Sequence, residues 1–290
     1  MNYFLHVLVL ISIYTILASS LNLLVGCTGM LSVAHAAFYG LGAYAGALAA
    51  LHWGFGFPFD LAVACGLGAV VALIVALPSL RVHGDYFVLG TFALQMIVFN
   101  LLNNWTAVTG GAVGMGRIRN PSVFGIFIAS PLRYVCLSGP FAALVVWALM
   151  KISQSSYGNV IRAIRDDEVL AETLGTDVHR EKTIVFVLAA AIAAGAGSLY
   201  ADYIRFIAPS NFTVQESIFL LAIVIIGGAG NFLGSVIGAA VLVALPELLR
   251  FFDVSSAAAA NVRQILYGVL LVVVMIARPR GLLGEYDFRR

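Results

Sequence analysis

Long apolar runs separated by short polar breaks dominate the chain. Met1 to Phe59 carries no Asp, Glu, Lys or Arg, and further uncharged runs cover 61–80, 86–116, 134–150, 183–201, 217–246 and 264–277. A helix needs roughly 20 apolar residues to cross a bilayer core of about 30 Å, and several runs reach that length. None alternates polar and apolar residues as an outer-membrane barrel strand does. The pattern predicts an all-α polytopic membrane protein with about nine crossings, in a range of eight to ten. They fall near 3–25, 30–51, 58–78, 85–104, 132–151, 183–204, 216–228, 232–249 and 263–278. The seventh is too short to span as an ordinary helix and reads as a re-entrant segment or half of a broken helix. The whole of 1–290 forms one transmembrane domain, with 152–182 a long charged loop inside it.

Composition sharpens this. Of 290 residues, 61% are hydrophobic and 10% charged, against about 25% charged in a soluble domain. A soluble globular chain, a disordered chain and a coiled coil are excluded. Sixteen Lys+Arg against fourteen Asp+Glu leave a net charge of +2 with no basic stripe, so nothing points to nucleic acid. Cys27, Cys65 and Cys136 lie in separate apolar segments without metal or disulfide spacing. The apolar start lacks a cationic region and a cleavage site, which predicts a first membrane helix rather than a removed signal peptide. No catalytic constellation appears. The two lysines, Lys151 and Lys182, do not follow glycine, so a phosphate-binding loop is absent, and the five histidines do not cluster in sequence. If nucleotide hydrolysis drives the protein, another chain supplies it.

Orientation follows from cation counts in the loops. With 152–182 inside, ten cations lie inside (Arg81, Lys151, Arg162, Arg165, Arg180, Lys182, Arg278, Arg280, Arg289 and Arg290) and six outside (Arg117, Arg119, Arg133, Arg205, Arg250 and Arg263). The bias predicts the N-terminus out and the C-terminus in.

Several polar or glycine-rich interruptions stand out. Asn22-Leu-Leu-Val-Gly26-Cys-Thr-Gly29-Met-Leu-Ser32-Val-Ala-His35 separates two apolar runs. It is either a tight turn between helices or a broken helix lining a substrate path. His35 is either a path residue or a neutral interhelical hydrogen-bonding group. Gly26-x-x-Gly29 aligns with Gly227-x-x-Gly230, which hints at an internal repeat. Gly42 and Gly46, and Gly230, Gly234 and Gly238, repeat every four residues, a spacing that lets helix backbones approach closely. In the fourth run Gln95 and Asn103 lie near one face, suited to interhelical hydrogen bonds or to a pore lining.

The loop carries its own signal. In Tyr157 to Gly175, Val160, Ile161 and Ile164, then Leu170, Ala171 and Leu174, recur at three- and four-residue steps. Gly175 ends such a helix, and Thr176 or Asp177 caps the next. An amphipathic helix with charged flanks is either a docking element for a soluble partner or a helix lying on the membrane surface.

At this point the chain resembles a known family. Asn22-Leu-Leu-Val-Gly26, Gly29, Leu31-Ser32 and His35-Ala-Ala-Phe-Tyr-Gly-Leu-Gly42-Ala-Tyr44 are similar to the opening signature of bacterial ABC importer permeases for branched-chain amino acids. Tyr86-Phe87, Thr109-Gly-Gly111 with Gly114, Ser156-Tyr-Gly158, Arg162-Ala-Ile-Arg165-Asp-Asp-Glu168 and Gly227-Gly-Ala-Gly230 match in order along the chain. The resemblance is strongest to the LivM-type subunit. It implies a complex with a second, LivH-type permease subunit, two ATPase subunits that hold the ATP and magnesium, and a periplasmic solute-binding protein, in the bacterial inner membrane. This chain itself would bind no cofactor. The 158–175 helix would be a coupling helix, with Arg162, Arg165, Asp166, Glu172 and Gly175 at the ATPase contact. Asn22, Ser32, His35 and Gln95 would lie near the substrate path. Relatives for urea, short amides and aromatic acids share these motifs, none of which reads a substrate side chain.

Two other classes stay open from the residues alone. A secondary transporter needs a proton or sodium site at depth. Asp85 and Glu247 are the carboxylates nearest the edges of apolar runs, and no helix carries paired carboxylates mid-span, which argues against it. A channel for a neutral solute would not need the long charged loop.

Overall fold

The computed structural model describes residues 2–52, 54, 56–80, 84–116, 118, 122–123, 126–127, 130–249, 268–269, 272–273 and 281–283. The ninth expected crossing, 263–278, and the alanine-rich stretch 255–260 before it lie almost wholly outside these residues.

Eleven helices are described: α1 Asn2–Asn22, α2 His35–His52, α3 Phe57–Ser79, α4 Asp85–Asn104, α5 Thr106–Thr109, α6 Pro131–Gln154, α7 Ser156–Asp166, α8 Glu168–Thr173, α9 Val178–Ile204, α10 Val214–Gly227 and α11 Phe232–Leu249. The rest is short: a π-helical turn Leu23–Cys27, two 3₁₀ turns and four two-residue strands. β1 (Met115–Gly116) pairs antiparallel with β4 (Phe206–Ile207), and β2 (Ser122–Val123) with β3 (Ile126–Phe127). This knits the glycine-rich loop after α5 to the segment after α9.

Six spans are long and apolar enough to cross a membrane: Tyr3–Cys27, Phe57–Ser79, Tyr86–Asn104, Pro131–Gln154, Val178–Ile204 and Pro209–Gly227. α11 adds a shorter apolar stretch, Phe232–Leu245. The expected count of about nine thus exceeds the six. α2 falls outside the set because His35 and His52 at its ends, three glycines and two tyrosines lower its hydropathy. It needs little lipid-facing hydropathy, since fifteen of its residues are buried. It forms an inner axis of the bundle, packed mainly by α9 and α3. Small residues allow this: a Cβ on Gly42 would lie 2.0 Å from the Ala194 carbonyl, and one on Gly46 2.4 Å from Ser198 Oγ. Gly197 returns the contact against the Tyr39 carbonyl at 2.1 Å. Lipid-facing flanks fall on α3 (Val70, Leu73, Ile74, Leu77), α4 (Leu89, Ile97) and α6 (Leu144, Trp147).

α10 spans 14 residues, about 21 Å at 1.5 Å per residue, less than the hydrocarbon thickness. It starts within the protein. Ser217 Oγ accepts from the backbone of Ala36 at 3.0 Å, and the Phe212 ring before it packs among Tyr39, Tyr44 and Tyr200. Its far end is closed by the chain terminus, where the amides of Leu282 and Leu283 donate to the carbonyls of Ile226 and Gly227.

Candidate functional site

The two glycine interruptions meet. Asn22, fully buried, donates from Nδ2 to the Asn231 carbonyl at 2.9 Å and to Ser235 Oγ at 2.8 Å. Its Oδ1 accepts from the Gly230 amide at 2.8 Å. A Cβ on Gly26 would lie 2.1 Å from the Gly230 nitrogen, so only glycine permits this approach. The broken end of α1 and the α10–α11 turn therefore form one polar joint. The π-helical turn supplies the bend. At its end the Leu24 carbonyl accepts from the Thr28 amide, Thr28 Oγ1 and Met30 N together, and Arg165 donates to the Gly26 carbonyl.

Of the glycine stripe, Gly234 and Gly238 lie on α11 and press on α10. Cβ atoms there would meet the Gly227 and Ile223 carbonyls, both at 2.4 Å. Gly230 is a correction: with φ +87 it sits in the turn before α11 rather than on its face, because the chain must reverse there to present its amide to Asn22.

The charged loop is built as a bracket on the same end. Gly158 lets α7 turn back on α6; a Cβ there would lie 2.0 Å from the Ser153 carbonyl. Ile161 and Ile164 face inward. The expected single helix over 158–175 is two, α7 and α8. Asp167 breaks it with extended backbone and caps α8 by accepting from the Leu170 amide at 2.9 Å. Gly175, at φ +89, closes α8, and Asp177 caps α9 by accepting from the Arg180 amide at 3.0 Å. Tyr157 is half-buried; desolvation, then the Glu181 carboxylate, pushes its hydroxyl up to about 12, so it stays protonated.

The two arginines expected at a partner contact turn inward instead. Arg165 Nη1 donates to the Gly26 carbonyl at 2.8 Å, while its Nε donates to Asp166 at 3.0 Å. Arg162 donates to the Ser153 carbonyl at 2.9 Å and to Asn159 Oδ1 at 2.7 Å. Asp166, Glu172 and Gly175 remain on the outer surface. Beside them stand Val169, Leu170 and Leu174, which are 71%, 55% and 79% exposed. A cavity of about 290 Å³ lies between Gly29, Leu31, Phe87, Arg165 and the Glu168–Lys182 ion pair.

The remaining polar residues hold the bundle at mid-depth. Ser20 Oγ donates to the Leu17 carbonyl, so it accepts from His35 Nε2 at 2.8 Å. Ser32 Oγ accepts from the Ala34 amide at 3.3 Å. Gln95 Nε2 donates to the Phe212 carbonyl at 2.8 Å, and Ser217 donates to its Oε1 at 3.4 Å. Asn22, Ser32, His35 and Gln95 are all buried, and none of them lines that cavity or the one at the far end of α9. Asn103, expected near the Gln95 face, is only half-buried.

Carboxylates give a second correction. Asp60 on α3 and Asp202 on α9 are each only 2% exposed and lie within electrostatic reach of one another across the helix pair. Glu216 is a third carboxylate within the bundle, half-buried and accepting from the Tyr14 hydroxyl. Asp60 and Asp202 thus join Asp85 and Glu247 among the carboxylates that border apolar runs, and they were passed over in the sequence. The signal was available: Asp60 is the first charge in the chain and Asp202 stands inside Ala201-Asp-Tyr-Ile204. Their separation of 142 positions (202 − 60) hid the pairing.

A helical membrane domain whose interrupted helices meet at a polar joint, braced by an amphipathic bracket outside the bundle, has the build of a transport permease. The chain belongs to the family described as branched-chain amino acid transport system / permease component, whose profile matches residues 3–275. It is 34% identical to the high-affinity branched-chain amino acid transport system permease protein LivM of Escherichia coli, over 93% of this chain and 68% of that protein. A probable LivM permease of Methanocaldococcus jannaschii is 27% identical over 76% of this chain and 66% of that protein. The LivH permease of Salmonella typhimurium is 26% identical over 96% and 94%. No solved structure matches.

Proposed function

We propose that this chain is the LivM-type transmembrane subunit of an ATP-driven importer that moves branched-chain amino acids from periplasm to cytoplasm. It pairs with a LivH-type permease subunit in the bacterial inner membrane, in an arrangement of eight to ten crossings. A periplasmic binding protein delivers the solute, and two ATPase subunits, carrying ATP and magnesium, dock on the α7–α8 bracket at the cytoplasmic end. The N-terminus lies outside and the C-terminus inside.

The observation that carries this reading is the Arg165 bond to the Gly26 carbonyl. Val169, Leu170 and Leu174 offer an exposed apolar face for the ATPase, with Asp166 and Glu172 as its polar edge. Motion of that face is passed by Arg165 to the joint of α1 with α10–α11. There the backbone is already interrupted, so it bends without breaking regular helical bonds. The ligand biases the resulting equilibrium only through differential affinity for its two states.

The test is leucine uptake and ATP hydrolysis by the complex purified with this chain. Arg165→Ala should leave assembly and hydrolysis in place and cut leucine moved per ATP at least tenfold; Arg165→Lys, which lacks the planar fork, should fall between. Uptake that persists without ATP, or recovery of the chain with no ATPase, overturns the reading.

A further inference from the structure

At the end of the bundle opposite the bracket, α9 finishes in a charged pocket. A cavity of about 300 Å³ is lined by His6, Ser130, Tyr134, Asp202, Tyr203 and Arg205, among others. This is the small end of the range for ligand pockets, a volume suited to one free amino acid. Asp202 is 2% exposed and its Oδ2 has no hydrogen-bond partner. A buried carboxylate without a partner is costly. Arg205 is exposed in the same pocket, and among the described residues its guanidinium has no ion pair or hydrogen bond. The two do not pair with each other, although they are three residues apart.

The backbone explains why. Helix α9 ends at Ile204, and Arg205 adopts φ 61, the one positive φ outside glycine among the described residues. The left-handed turn takes Arg205 out of the helix, so the two side chains are no longer held at helical i, i+3 spacing. One wall then presents a buried anion and the other a cation, with aromatic rings between. Those rings are fixed: Tyr134 donates to the Leu199 carbonyl, Tyr203 is hydrogen-bonded to His6 at 2.9 Å, and the Tyr134 and Tyr203 centroids lie 4.8 Å apart. Asp60 on α3, also 2% exposed, lies within electrostatic reach of Asp202 and outside the pocket lining.

We propose that this pocket is a subsite for a free, zwitterionic amino acid, with Asp202 taking the α-ammonium and Arg205 the α-carboxylate. The aromatic faces of Tyr134 and Tyr203 flank the ammonium, as they would any organic cation. The remaining apolar wall, Pro131 and Ile204, faces the side chain. The assignment rests on the transport reading above and makes this pocket the receiving station on the outer side. The ligand is read by its two backbone charges, which every amino acid shares. Selectivity among side chains is left to the binding protein.

The experiment is equilibrium binding of labelled L-leucine to the purified complex without its binding protein, with ATP-driven leucine uptake by the whole system measured alongside. Leucinol, which lacks the carboxylate, and isocaproate, which lacks the ammonium, compete in both wild type and variants. In the wild type both analogues should compete at least tenfold worse than leucine. Arg205→Gln should erase the difference between leucine and leucinol while leaving isocaproate weak. Asp202→Asn should erase that between leucine and isocaproate. A variant that merely misfolds weakens all three ligands together, and the wild-type analogue series stands without any variant. Normal wild-type uptake with analogues that bind as well as leucine, or with variants that keep the wild-type ranking, overturns the subsite alone. Absence of ATP-driven leucine uptake by the wild type overturns the transport reading and the subsite with it.

Discussion

Asn22 uses three of its four amide hydrogen-bonding positions on the α10–α11 turn. Asn22→Ala leaves the Gly230 amide and the Asn231 carbonyl without that partner in a buried setting, a loss of about 1–3 kcal/mol for each unsatisfied group. Thermal unfolding in mild detergent should show a lower midpoint for this variant. Gly26→Ala acts differently: its Cβ would meet the Gly230 nitrogen and Asn22 Oδ1 at about 2 Å, so the two broken segments must part. We expect a chain that still inserts but transports less than a tenth of the wild-type flux. At this scale the sequence was partly legible. Asn22, Ser32, His35 and Gln95 stood out as polar groups in apolar runs, and all four are buried. Their partners were not legible, since Asn22 meets residues more than 200 positions away. A separation of 142 positions (202 − 60) likewise concealed Asp60 beside Asp202.

The α7–α8 bracket shows what periodicity reads and what it misses. Spacing of Val160, Ile161 and Ile164, then Leu170, Ala171 and Leu174, marks an amphipathic helical segment, but of the second group only Ala171 is buried, while Leu170 and Leu174 are exposed. The spacing does not mark the break, because Arg165-Asp-Asp-Glu168 suits equally the end of one helix and the first turn of the next. Nor does it show that Arg162 curls back to the Ser153 carbonyl of α6 and Arg165 to the Gly26 carbonyl at the interrupted end of α1. Loss of the Asp167 cap is worth about 1 kcal/mol. Asp167→Ala should therefore raise amide exchange across 168–173 while leaving α9 protected, and should weaken ATPase recruitment without unfolding the chain. Unchanged exchange there would show that Asp167 does not fix the bracket.

Across the whole molecule, the described helices place the joint and bracket at one end and the Asp202–Arg205 pocket at the other. If cation counts orient the chain correctly, the two ends face opposite compartments. In a chain with Cys27, Cys65 and Cys136 replaced by serine, a membrane-impermeant thiol reagent should label Arg205→Cys in intact cells and Leu174→Cys only in inverted vesicles. The reverse pattern inverts the topology. Six strongly apolar spans were legible from hydropathy alone; α2 was legible as an apolar run but not as the axis, because its glycines describe contacts with a helix made much later. That lateness matters during synthesis. Gly42 packs on Ala194, 152 positions downstream (194 − 42), which is roughly 8–30 s of translation at 5–20 residues per second. Until α9 arrives, α2, which is not among the six spans apolar enough to cross a membrane, waits with the face that packs on α9 uncovered. The newborn chain is thus exposed to quality-control proteolysis over that interval, and its survival depends on whatever shelters α2 beside the insertion channel.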